Sequence, residues 1–268
     1  MNLNKVLFIG GNPRKFGSVE IRCEDIAPRL GCDRMLSVRK VEEIPDVYSA
    51  FVCVKPALRG DEILKLSKRG PVIWDIVDDT PPASNICAYI VSTQGARRVF
   101  QNYGRIEIIP HHHCNFSGSP NPIGCRHPVW IGQFHWCPEL SGFEFEKVNT
   151  LGMNSEQTAA AYRRAGIGLN LRSNHPNSHF HVPINAGIKL INCIGFGIPS
   201  ISSDEPAYHE IGDECTVFST ASDCSGWVSR LQNDDAFYSD LREKCISRAR
   251  DFHVSSIIEK YRALLESL

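Results

Sequence analysis

The feature that most narrows what this chain can fold into is a recurrence. Short apolar runs are followed again and again by a polar turn and a stretch with helical spacing. Lys5-Val-Leu-Phe-Ile9, Ala50-Phe-Val-Cys-Val54, Pro71-Val-Ile-Trp-Asp-Ile76, Ala88-Tyr-Ile-Val91 and Ile106-Glu-Ile-Ile109 form a first series. Runs this apolar suit strands buried on both faces, as in a parallel sheet covered by helices. Residues 20–30, 61–68 and 93–103 read as the intervening helices, with Ile63, Leu64 and Leu66 turned inward in the second.

The recurrence then breaks. The stretch from His111 to Arg126, HHHCNFSGSPNPIGCR, is rich in Gly, Pro, Ser and Asn and has no period, which is the composition of a connection between domains. A second series follows: a strand at 127–132, a strand region at 143–151, and a helix at 155–164 with Ser155 as its N-cap. Next come a buried strand at 166–171, a helix and strand at 186–203, and a short strand at 215–218. Helices are expected at 222–232, 235–251 and 255–268, the last with Ile257, Ile258, Tyr261, Leu264 and Leu265 at helical spacing. The expectation is therefore an α/β protein of two Rossmann-like domains facing across a ligand cleft. Residues 1–112 form the first domain, 113–126 a linker and 127–268 the second, with the C-terminal helix a candidate to cross back.

A net charge of −1 gives no global attraction to nucleic acid. The eleven cysteines are odd in number and contain no CxxC pair, so reduced thiols in a cytoplasmic protein are expected rather than a disulfide framework. No secretory signal precedes the first strand, and no apolar run reaches the length of a membrane span. Peripheral membrane attachment stays open.

The chemistry concentrates between Asn185 and Glu210, NAGIKLINCIGFGIPSISSDEPAYHE. A short helix, a glycine-proline turn, a buried strand and an acidic polar loop follow one another here. Helix N-termini and the carboxyl ends of parallel strands are where such proteins hold phosphorylated ligands. Gly187 and Lys189, in the first turns of the helix, would supply amides and a cation for a diphosphate. Arg172, at the end of the preceding strand, would add a guanidinium fork. Asp204 and Glu205 would meet sugar or ribose hydroxyls, unless they are simply a solvated loop. Gly10 and Gly11, after the first strand, would let the backbone approach a ligand. They do not form a G-x-G-x-x-G fingerprint, which argues against a dehydrogenase.

Four segments, in order, resemble nucleotide-sugar glycosyltransferases of the GT-B fold, above all the large group 1 family. They are Ile90-Val-Ser-Thr-Gln-Gly-Ala-Arg-Arg-Val-Phe100 with Ile106–Pro110, Ala161-Tyr-Arg-Arg-Ala-Gly-Ile-Gly-Leu-Asn-Leu171, Lys189-Leu-Ile-Asn-Cys-Ile-Gly-Phe-Gly-Ile-Pro-Ser-Ile-Ser-Ser203, and the closing stretch 252–265. The resemblance implies transfer of a sugar from a nucleotide-sugar donor to a hydroxyl of a glycan, lipid-linked or small-molecule acceptor. The setting it implies is polysaccharide or glycoconjugate synthesis, without an essential metal and with no cofactor beyond the donor. Three departures stand out. Asn192 occupies the position of an acidic residue that holds the ribose. A second acidic residue is missing near Ile184 or Asn185. The arginine and lysine that follow the first strand of the family's second domain are replaced here by Gly132-Gln-Phe-His-Trp136.

Inversion at the sugar would need a base near the acceptor. Asp75, Asp78 and Asp79 beyond a first-domain strand are candidates, as is His112 within His111–His113. Glu20 and Arg22 either face the cleft or pair with each other. No metal site is expected: consecutive histidines point apart, and His179 and His181 share a face only in an extended chain. The rival readings are a sugar-nucleotide epimerase of the same fold and a non-catalytic nucleotide- or sugar-binding protein.

Overall fold

The computed structural model describes residues 2–13, 17–77, 81–82, 84–124, 126–173 and 184–268. They form two compact units. The first comprises Met1–His111 with Ile184–Ala186 and Ile257–Leu268; the second comprises His112–Pro183 and Gly187–Ser256.

The first unit is built on a parallel sheet of six strands: β1 (Val6–Gly10), β2 (Asp33–Leu36), β3 (Ala50–Val54), β4 (Val72–Asp75), β5 (Ala88–Val91) and β6 (Ile106–Ile108). Their order across the sheet is β2-β1-β3-β4-β5-β6. Strands β1, β3, β4 and β5 are buried along their whole length, as their apolar runs require. Helices α1 (Asp61–Arg69) and α2 (Gln94–Val99) follow β3 and β5, and the Thr93 hydroxyl caps α2 by accepting from Ala96 N–H at 3.1 Å. The continuous helix expected over 20–30 is instead broken into a turn at Gly17–Val19, a π-helical turn at Glu20–Glu24 and a helix at Ala27–Leu30. Pro28 has no N–H to continue an α-helical ladder, and the widened turn closes through Asp25 N–H to Glu20 O at 2.9 Å.

The second unit holds a parallel five-stranded sheet in the order β11-β10-β9-β7-β8. Its strands are β7 (Pro128–Gly132), β8 (Glu146–Asn149), β9 (Ile167–Asn170), β10 (Ser200–Ser202) and β11 (Thr216–Phe218). The helices are α3 (Ser155–Arg164), α4 (Ile188–Phe196), α5 (Pro206–Gly212), α6 (Cys224–Asn233) and α7 (Asp235–Ala249); the closing helix α8 (Val254–Glu266) begins in this unit and from Ile257 belongs to the first. The cap of α3 is Asn154, which makes a reciprocal box with Gln157, rather than Ser155. The polar loop expected at Asp204–Glu210 is largely the helix α5, opened by Pro206.

The stretch assigned as a linker is packed into the second unit: Cys114 N–H donates to Asn192, the Asn115 side chain to Gly195 O, and Asn121 N–H to Phe196 O. The C-terminal residues Ile257–Leu268 belong to the first unit, where the Tyr261 ring meets Phe8 at 6.1 Å. All the described cysteines are free thiols. No helix among the described residues is long and apolar enough to cross a membrane.

Candidate functional site

Parallel strands deliver all their following loops to one edge of a sheet, which is where α/β proteins place ligands. In the second unit that edge collects the ends of β7, β9 and β10, where Gly132, Arg172 and Glu205 lie, together with the start of α4. Lys189 comes from the first turn of α4, whose N-cap is Gly187. Its Nζ lies 4.0 Å from the centroid of the Trp130 ring. The ring is itself held by Nε1–H donation to Leu171 O at 2.9 Å. A Cβ on Gly132 would stand 2.9 Å from Nζ and 3.1 Å from Cε, so only glycine at the end of β7 leaves the lysine its place.

The Lys189 stem is half-buried, but the amine is fully shielded and makes no hydrogen bond among the described residues. Burial lowers its pKa from 10.5 to about 7, and the like charge of Arg172 acts in the same direction; Cys137, Glu205 and Cys193 oppose them. An ammonium without an acceptor is costly to hold away from water, and the Trp130 face offsets part of that cost.

Arg172 follows β9. Its Nε lies 3.5 Å from Glu205 Oε1, its guanidinium 5.9 Å from the Trp136 ring, and its N–H donates to Ser203 Oγ at 3.1 Å. Glu205 is only 4% exposed. Tyr208, in α5, adds a hydroxyl that is likewise buried and whose O–H has no acceptor among the described residues. With Lys189 protonated, two cations face one carboxylate among the described residues, and that excess of positive charge suits an anion.

Of the residues singled out from sequence, Lys189, Arg172 and Glu205 are brought together. The other described residues have structural engagements of their own. Asn192 is buried, and its carboxamide oxygen accepts from Cys114 N–H at 2.9 Å, so it ties the crossover to α4 instead of facing a ribose. Gly187 has φ +63°, and a Cβ there would meet Ile211 Cδ1 at 1.9 Å, so its glycine is demanded by conformation and packing. Asp204 reaches His209 Nε2 at 2.6 Å on the surface. A Cβ on Gly10 would come within 2.8 Å of Val19 and Leu36 side chains, and Gly11 N–H donates to Val54 O at 3.1 Å. Both glycines thus serve the sheet of the first unit.

His112 is buried, with Nδ1 3.0 Å from His113 O and its ring 5.6 Å from Phe116. It is an interior side chain and not an exposed base. Arg22 pairs with Asp75 at 3.5 Å rather than with Glu20, and Asp75 is itself enclosed. Asp78, Asp79, His175, His179 and His181 lie outside the described residues. Among the described residues, no group of three or more His, Cys, Asp or Glu could hold a metal ion.

Sequence reasoning missed Gly132, Trp130 and Tyr208. Gly132 was visible as a departure, since the resemblance leads one to expect basic residues just after that strand. The structure puts a cation there by another route: the amine of Lys189 arrives from α4 and occupies the space over Gly132.

No protein-family model and no curated protein matches the sequence. Solved structures do match. HepE of Anabaena, solved with UDP and glucose, superposes with a TM-score of 0.63 at 11% identity, covering 98% of this chain and 100% of that one. A glycosyltransferase from Rickettsia africae gives 0.62 at 8% identity, covering 100% and 99%. An alpha-glucosyltransferase solved with UDP and a 13-mer DNA containing an HMU base gives 0.61 at 9% identity, covering 98% and 99%. With its two Rossmann-like parallel sheets and flanking helices, the chain has the GT-B fold that these glycosyltransferases carry.

Proposed function

We propose that this protein transfers a sugar from a nucleotide-sugar donor to an acceptor hydroxyl, holding the donor's diphosphate at the carboxyl edge of the second unit's sheet. The observation that carries the reading is the Lys189 amine, buried over Trp130 and Gly132 without an acceptor. When the glycosidic bond of such a donor breaks, negative charge builds on the departing phosphate. A lysine and an arginine already in place stabilise that charge without reorganising. These fixed cations supply what a divalent metal would otherwise supply, in keeping with a metal-independent enzyme and with no cofactor beyond the donor.

UDP is the first nucleotide to test, because HepE and the alpha-glucosyltransferase were both solved with it. The acceptor class is a glycan, a lipid-linked sugar or a small molecule, in polysaccharide or glycoconjugate assembly. Asp78 and Asp79, which follow the end of β4 in sequence, are the proposed bases. Free thiols fit a reducing, cytoplasmic setting. One observation favours the rival of a binding protein without turnover: Asn192, at the position of the ribose-holding acid, spends its side-chain oxygen on Cys114.

A thermal-shift screen of UDP, GDP, CMP, ADP and dTDP, followed by sugar-release and transfer assays on the stabilising nucleotide's sugars, tests the proposal. The expected result is stabilisation by one diphosphate and its sugars, with turnover that needs an acceptor. Stabilisation without turnover would identify the binding protein, and epimerisation without acceptor the epimerase. No stabilisation by any of the five would overturn the donor site.

A further inference from the structure

The ring of Tyr208 is fully buried in a cluster with Leu190, Ile191, Ile194 and Ile211. A phenylalanine would fill that space equally well. Its hydroxyl therefore contributes nothing to packing, yet it is shielded from water; Arg172 can act on its oxygen only as a donor, and its O–H finds no acceptor among the described residues, a state that native proteins seldom leave unexplained. Burial pushes the phenol's pKa up, Arg172 pulls it down and Glu205 pushes it up again, so the Lys189 amine and this hydroxyl share both charged neighbours. Amine and hydroxyl come from different helices, α4 and α5, and each lacks an acceptor among the described residues.

We infer that Tyr208 is a third ligand-binding residue of the anion site, its hydroxyl donating a hydrogen bond to a phosphate oxygen of the bound diphosphate. This rests on the donor-site reading above. A diphosphate presents several acceptor oxygens in a small volume, so it can satisfy the amine, the guanidinium and the phenol together. A carboxylate or a monophosphate offers fewer. The phenol is also a neutral donor, and it adds a hydrogen bond without adding another charge to a site where Arg172 already repels Lys189.

The test is isothermal titration of the full chain and of Tyr208→Phe with UDP, inorganic pyrophosphate and uridine, alongside unfolding of the ligand-free proteins. Loss of a hydrogen bond to a charged group predicts a Kd about tenfold higher for UDP and for pyrophosphate. Uridine binding should be unchanged, and the ligand-free Tm equal or higher. Equal UDP and pyrophosphate affinities in the two proteins would overturn the inference. Repeating the substitution in an Arg172→Met background separates direct contact from orientation of Arg172. Persistence of the tenfold loss supports the contact, and its disappearance overturns it. If the unmodified chain binds neither UDP nor pyrophosphate, the donor site falls and Tyr208 with it. If Lys189→Met weakens both ligands while Tyr208→Phe weakens neither, only the assignment of Tyr208 fails.

Discussion

Each of the two sheets has an arginine, a carboxylate and a tyrosine gathered in one cluster, and the clusters differ in what they leave over. In the first unit Arg22 donates to Ile109 O at 2.7 Å, Ser92 Oγ at 3.0 Å, and Pro110 O and Tyr261 Oη at 3.2 Å. It also sits 3.5 Å from Asp75, which accepts from the Tyr261 hydroxyl. Charge balances within the cluster, although Arg22 Nε and Asp75 Oδ1 make no hydrogen bond, and its residues hold the C-terminal residues and the end of β5 in place. In the second unit Arg172 and Glu205 also pair, but Lys189 and Tyr208 remain as donors with no acceptor among the described residues. A charge-balanced network of this kind is a fastening, even with two atoms left over. One whose leftover donors include an amine without a counter-ion, so that positive charge is in surplus, has the chemistry of a binding site. Burial raises the pKa of Asp75 while Arg22 counters it; burial of Lys189 is reinforced first by Arg172, and Cys137, Glu205 and Cys193 oppose it too little to restore the ordinary value.

The largest effect that could break this contrast is expected in the first unit. Arg22→Met strands the Asp75 carboxylate in the interior, and removing one partner of a buried pair costs about 3–5 kcal/mol. Denaturant unfolding should register that loss, while the protein that remains folded keeps its UDP affinity. An Arg22→Met protein of full stability that no longer binds UDP would make the first cluster a site as well.

Lys189→Met should do the opposite. UDP binding weakens more than tenfold, above about 1.4 kcal/mol, while the ligand-free Tm stays level or rises because a buried unpaired amine has been removed. Titration calorimetry and a melting curve on the same preparation read both halves. A large drop in Tm with unchanged affinity would erase the distinction between the clusters.

A subtler effect comes from pH. In the free protein the Lys189 amine titrates at about 7, below its usual 10.5. A bound diphosphate favours the charged form and raises that value again. Below pH 7 the amine is already protonated and affinity is flat. As pH rises above 7 the amine must take up a proton to bind, and UDP affinity falls toward tenfold per unit. Lys189→Arg, which stays charged, should lose this slope. The same shift acts on folding: the native chain holds fewer protons than the unfolded one between pH 7 and 10.5, so this residue's contribution to stability improves as pH rises through that window.

The smallest expected change is at Glu205. Glu205→Gln frees Arg172 from its counter-ion and should tighten UDP binding a few-fold, read by the same titration. Weaker binding would instead place the carboxylate among the groups that touch the ligand.

Much of the fold was legible because its central strands are buried on both faces and have to be apolar. Strand β2 was not: Asp33-Arg-Met-Leu36 lies at the sheet edge, mostly exposed, and has no apolar run to announce it. Helix α5 reads as a loop in sequence because DEPAYHE is polar, although Pro206 suits a first helical turn. At the site, Lys189 could be picked out from its place at the head of a glycine-punctuated helix. Its partners could not, since the use of Gly132 depends on a side chain arriving from another element. The open state of Tyr208 likewise depends on what does not reach it in three dimensions. Pairings such as Arg22 with Asp75, or Asn192 with Cys114, join residues far apart in sequence and leave no local signature.

The central claim is that Lys189 holds the outer phosphate of a nucleoside diphosphate, and titration of UDP against UMP tests it most directly. The account predicts that UDP binds at least tenfold more tightly than UMP, and that Lys189→Met removes most of that ratio. Equal binding of the two nucleotides, or a ratio that survives in Lys189→Met, would contradict it.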